Sequence, residues 1–104
     1  MASNRIEQLK SFLEDDPKDS FTRFALALEY QKLDDLEASI GLFNEIIADE
    51  PDYVGVYYHL GGIYEKLGDL EKAARIYTTG IDVAVKINDH HAGKELREAL
   101  MEIE

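Results

Sequence analysis

Apolar residues recur at three- and four-residue spacing along this chain, and six helices fit that periodicity. The first is predicted at roughly 4–14, with Ile6, Leu9, Phe12 and Leu13 on one face and Asn4 followed by Glu7 as a capping box. Pro17 stops it. The second, about 19–33, sets Phe21, Phe24, Ala25 and Leu28 on one face and Arg23, Leu26, Ala27 and Tyr30 on another. Asp34-Asp35 makes a turn, and Asp35 is the N-cap of a third helix at about 36–49 that carries Leu36, Ile40, Phe43, Ile46 and Ile47. A fourth helix covers about 53–67. Gly68 then supplies a left-handed residue and Asp69 a cap. The fifth starts near Leu70 and, with no proline to close it, runs to about Ile87. Asp89 caps the last, whose apolar stripe is Ala92, Leu96, Ala99, Leu100 and Ile103. Lys94, Glu95, Arg97, Glu98 and Glu102 lie on its opposite, solvated face.

Beneath this pattern lies a longer period. Leu26, Tyr30, Lys32, Leu33, Asp35, Leu36, Glu37 and Ile47 recur, 34 positions on, as Leu60, Tyr64, Lys66, Leu67, Asp69, Leu70, Glu71 and Ile81. Phe24 and Phe43 return as Tyr58 and Tyr77, and Asp15-Asp16-Pro17 as Asp49-Glu50-Pro51. Such a period marks a stacked-repeat architecture, whose units cannot bury an apolar face alone.

The residues resemble the tetratricopeptide repeat, a helix–turn–helix unit with the pattern Trp-x2-Leu-Gly-x2-Tyr, then Ala-x3-Phe, then Pro. The second copy reads Tyr57-x2-Leu60-Gly61-x2-Tyr64, then Ala73-x3-Tyr77. The first reads Arg23-x2-Leu26-Ala27-x2-Tyr30, then Ser39-x3-Phe43, and ends at Pro51. The resemblance implies an all-α fold, a right-handed α-α superhelix of antiparallel helix pairs. In that reading residues 1–104 form one domain, with a capping helix at 1–17, repeats at 20–53 and 54–87, and a second cap at 88–104. Gly61 and Ala27 are small where paired helices cross, opposite Ala73 and Ser39. Two departures stand out. Arg23 occupies the place of the large aromatic, which implies looser packing or wrapping by the N-terminal helix, and Val85 stands where the proline would be.

The resemblance also implies a role. In this family the first helix of each unit lines a concave groove that binds peptides or helices. The matching positions here are Phe21, Phe24, Leu28, Gln31 and Lys32, then Gly55, Tyr58, His59, Gly62, Glu65 and Lys66. Phe24, Leu28, Tyr58 and His59 are the expected anchors, with Lys32 and Lys66 as rim contacts. The Lys, Asn and Arg clamp with which some members hold a terminal carboxylate is not matched, since Phe24, Leu28 and His59 fall at those positions. The alternative is a homo-oligomeric structural protein, a homodimer for instance, that uses the same surface on its own copy.

Composition narrows the partner class. With 22 acidic residues against 11 basic, the net charge of −11 repels nucleic acid and anionic membranes and steers cationic partners inward, or serves only to keep a repeat protein soluble; the protein or peptide partner is what the resemblance implies. No cysteine is present, so disulfides and thiolate metal sites are excluded. His90-His91 points in two directions on a helix and does not make a metal pair. Gly61-Gly62 lies inside a helix rather than after a strand, so it is no phosphate loop. No nucleophile, base or cofactor loop is in place, and the expectation is a non-enzyme without a cofactor. The charged N-terminal segment lacks a secretory pattern, which makes the cytoplasm the expected location.

Overall fold

A computed structural model describes residues 2–104, with side chains from Asn4 onward. Among the described residues all regular structure is helical: α1 (Ala2–Asp15), α2 (Ser20–Lys32), α3 (Leu36–Asp49), α4 (Gly55–Lys66), α5 (Leu70–Lys86) and α6 (His90–Ile103). Each lies within a few residues of its predicted span. The predicted capping box is displaced, because α1 already begins at Ala2 and Asn4 lies inside it.

Aspartate starts four of the helices. Asp19, Asp35, Asp69 and Asp89 accept hydrogen bonds from the backbone N–H groups of Thr22, Ala38, Lys72 and Ala92 at 3.0–3.3 Å. Each bond satisfies one donor that the first turn leaves without a partner. Three of these caps follow one left-handed residue, Asp34 (φ 62°), Gly68 (φ 82°) or Asn88 (φ 59°). The backbone N–H groups of Asp35, Asp69 and Asp89 then reach back to the carbonyls of Tyr30, Tyr64 and Ala84, each at 2.9 Å. One two-residue device thus closes a helix and opens the next.

The chain divides between Glu50 and Pro51 into two compact units of three helices each. In the first unit, Ile6 and Leu9 of α1 pack on Leu26 of α2, with Leu13, Ala25, Tyr30 and Leu42 around them. Phe12 does not join that face. It is 68% exposed, because the buried stripe of α1 passes through Leu9 and Leu13 and leaves Phe12 on its flank. α2 and α3 meet through Ala27 and Phe43, both fully buried, and through the Ser39 hydroxyl, which donates to the Ala27 carbonyl at 2.7 Å. The small residue predicted at the crossing is therefore also a hydrogen-bond donor.

Arg23 corrects the expectation of loose packing. Its side chain is buried, and its guanidinium meets Asp49 of α3 at 2.8 Å, with Glu45 at 3.8 Å. It also donates to the Lys18 carbonyl at 3.0 Å. In the second unit Tyr57 takes the corresponding place and its hydroxyl donates to the Pro51 carbonyl at 2.5 Å. Both residues tie the start of their helix to the loop before it, one by charge and one by an aromatic hydroxyl.

In the second unit α4 and α5 cross where Gly61 faces Tyr77. A Cβ at Gly61 would lie 2.3–2.7 Å from that ring, far inside contact distance. Gly80 of α5 admits two neighbours in the same way, Tyr57 of α4 and Leu96 of α6, whose side-chain carbons would lie 2.6 and 3.0 Å from a Cβ placed there. Leu96 is buried in consequence, and α6 lies along α5 while also touching α4.

Candidate functional site

α2 carries the first set of predicted groove residues. Phe21 stands 71% exposed, Phe24, Leu28 and Gln31 are half-buried, and Lys32 is exposed and paired with Glu29 at 3.0 Å. The Phe24 ring leans on Phe43 at 5.9 Å between centroids, tilted by 56°, so this predicted anchor is partly a core residue. Phe21 offers open aromatic surface on α2.

The second set lies on α4. Gly55 opens the helix. Tyr58 remains 43% exposed, while His59, Gly62 and Glu65 are half-buried and Lys66 is exposed. The Tyr58 and His59 rings meet edge to face at 5.6 Å. Burial lowers the His59 pKa below its ordinary value, and the Glu95 carboxylate opposes that shift.

Three of these residues come together around a pocket of about 280 Å³. Tyr58, Gly62 and Glu65 supply the α4 side and Tyr77 the α5 side, while Glu95, Glu98, Ala99 and Glu102 close it from α6. The Tyr77 hydroxyl donates to the Glu65 carboxylate, and burial with this bond raises the Tyr77 pKa well above the usual phenol range. The Tyr77 phenol therefore keeps its proton near neutral pH. The pocket offers aromatic walls, small residues that leave space, and a rim of carboxylates.

Sequence reasoning reached only the α4 side. Tyr77 closes the second motif copy, and its ring fills the helix crossing while its hydroxyl end borders the pocket. Glu95, Glu98 and Glu102 were assigned to a solvated face. They are exposed, yet with Ala99 they occupy positions i, i+3, i+4 and i+7, one continuous stripe that faces α4. That spacing was visible in the chain. What it faces depends on how α6 docks.

Among the described residues, no group of three His, Cys, Asp or Glu side chains could hold a metal ion. No helix among them is long and apolar enough to cross a membrane.

The tetratricopeptide repeat family model matches residues 54–84, which hold α4, the Gly68-Asp69 turn and most of α5. The crystal structure of a tetratricopeptide repeat domain protein from Salinibacter ruber is 41% identical to this chain, covering 82% of it and 94% of that protein, with a TM-score of 0.78. The chain belongs to the tetratricopeptide repeat family. A solution structure of a tetratricopeptide repeat domain protein from the same organism is 42% identical over 85% of this chain and 89% of that one, with a TM-score of 0.81. MamA, at 22% identity, shares the fold over 94% of this chain and 64% of its own length, with a TM-score of 0.70. No curated protein matches the chain. The all-α helical-repeat fold expected of a tetratricopeptide repeat protein is the fold observed, and folds of this family generally mediate protein–protein interaction.

Proposed function

We propose that this tetratricopeptide repeat protein is a non-enzymatic interaction module that binds a peptide or helix segment of a protein partner. The observation that carries the reading is on α4, where Tyr58, Gly62 and Glu65, three of its six motif-matched groove positions, line a preformed concavity. A rigid helical wall with half-open aromatic side chains buries a partner's residues at little ordering cost. In the first unit, taken by itself, the exposed Phe21 ring offers an apolar surface on α2.

The test is affinity capture with wild type against a Phe21→Ala/Tyr58→Ala variant. Both side chains are substantially exposed, so the variant retains wild-type helicity in circular dichroism and loses the captured proteins. Equal capture by the two would refute the assignment. A second reading, self-association, is favoured by the exposure of Phe12 and Phe21 on the first unit. Absolute mass from light scattering over a wide concentration range separates the two readings. A single 11.8 kDa chain at all concentrations leaves these surfaces for a partner, and a dimer assigns them to a second copy.

A further inference from the structure

We infer that the pocket of the second unit accepts a cationic side chain, the ammonium or guanidinium group of a lysine or arginine in the bound partner. This rests on the interaction-module reading and names the chemistry its second unit selects. Four carboxylates rim the pocket, Glu65 from α4 and Glu95, Glu98 and Glu102 from α6, and no basic residue lines it. Along α6 these glutamates are like-charge neighbours at i, i+3 and i, i+4 spacing, each pair a small destabilisation of the free helix. The last turn of α6 contains no basic residue, so its C-terminal dipole adds to the negative field. A cation seated there relieves both.

The walls select which cation. Tyr58, 43% exposed, presents aryl surface for the aliphatic stem of a long side chain, and Tyr77 contributes only its hydroxyl end, with the charged head beyond them among the carboxylates. The pocket is open beside Gly62, where the nearest atom to a Cβ position is the Tyr77 hydroxyl at 3.9 Å. No three of the carboxylates converge tightly enough for a metal ion, so the occupant must bring its own reach and its own N–H donors. A volume of about 280 Å³ lies just under the range of small-molecule sites, of the order of 300 Å³ and above, and suits one side chain. The unit already holds one such contact elsewhere, Lys72 Nζ at 4.7 Å from the Tyr64 ring centre.

The experiment is a nuclear magnetic resonance titration of the full-length, isotope-labelled chain with blocked Gly-Lys-Gly and Gly-Arg-Gly peptides. Gly-Met-Gly and Gly-Glu-Gly serve as controls. The basic peptides should shift the signals of Tyr58, Gly62 and Ala99, and a Glu98→Gln/Glu102→Gln variant should weaken their binding by about tenfold. Both glutamates are exposed, so this variant folds as wild type does. Equal shifts from the methionine or glutamate peptide, no shifts at the pocket from either basic peptide, or unchanged affinity in the glutamine variant would overturn the inference. If it fails while wild type still captures proteins that Phe21→Ala/Tyr58→Ala loses, only the cationic class is wrong. If capture fails as well, the interaction reading falls with it.

Discussion

Gly61→Ala and Gly62→Ala place the same methyl group at adjacent positions of α4, and the structure gives them opposite signs. In both, replacing a helix-interior glycine gains about 1 kcal/mol of helix propensity. At Gly62 the nearest atom to the new Cβ is the Tyr77 hydroxyl at 3.9 Å, so the gain is kept. At Gly61 the Cβ would lie 2.3 Å from the Tyr77 ring, with two more ring atoms at 2.6 and 2.7 Å. That ring has little freedom to retreat, since it is almost wholly buried and its hydroxyl is held by Glu65. Overpacking of this kind costs roughly 1–3 kcal/mol, and the closeness of the contact points to the upper end. The net expectation is a loss of about 1–2 kcal/mol for Gly61→Ala against a gain of up to ~1 kcal/mol for Gly62→Ala. For a domain of this size that separates their melting temperatures by roughly 8 °C or more, measurable by circular dichroism with urea titration alongside. Tyr77→Phe removes the hydroxyl anchor and should restore part of the loss in the Gly61→Ala background. Equal melting temperatures for the two single variants would refute the reasoning, because it would mean that the α4–α5 crossing is not set by contact at Gly61.

Other perturbations test other parts of the molecule. Asp49→Ala strips the buried Arg23 guanidinium of its 2.8 Å partner and should cost about 2–3 kcal/mol in urea unfolding, whereas Glu45→Ala, at 3.8 Å and more exposed, should change stability by less than about 1 kcal/mol. Gly68→Ala forces a side chain into φ 82° and should lower stability by about 1 kcal/mol even though no atom obstructs the new Cβ. Because the folded-state pKa of His59 is lowered, the unfolded chain binds its proton first. His59 should therefore cost stability as pH falls through its ordinary value of 6.5, and His59→Gln should flatten that part of the pH profile; superimposable profiles would contradict its burial.

The helix inventory was legible because most boundaries are written in local chemistry; the start of α1, where Asn4 lies inside the helix, and that of α4, which no side chain caps, are not. Asp35, Asp69 and Asp89 cap helices whatever lies around them, and Gly68 and Asn88 tolerate the left-handed conformation that ends the helix before. The 34-residue period also matched Leu26 with Leu60 and Phe43 with Tyr77, and both members of each pair are buried. The candidate site was half legible. Motif matching found Tyr58, Gly62 and Glu65, but the facing glutamates looked like any solvated helix surface, since amphipathic spacing separates inside from outside without naming a neighbour. Phe12 shows the same limit in reverse, an apolar residue at helical spacing that no other element covers.

By itself, then, the sequence determined the number of helices, most of their ends, the repeat and the charge, because these depend on interactions between residues a turn or a fixed period apart. Tertiary structure decided the rest. It buried Arg23 and paired its guanidinium with the exposed carboxylate of Asp49, set Gly61 against Tyr77, and brought the α6 glutamates around Tyr58. Each of these outcomes depends on the angle and offset at which two helices dock, and those are fixed only when side chains from distant segments compete for the same space.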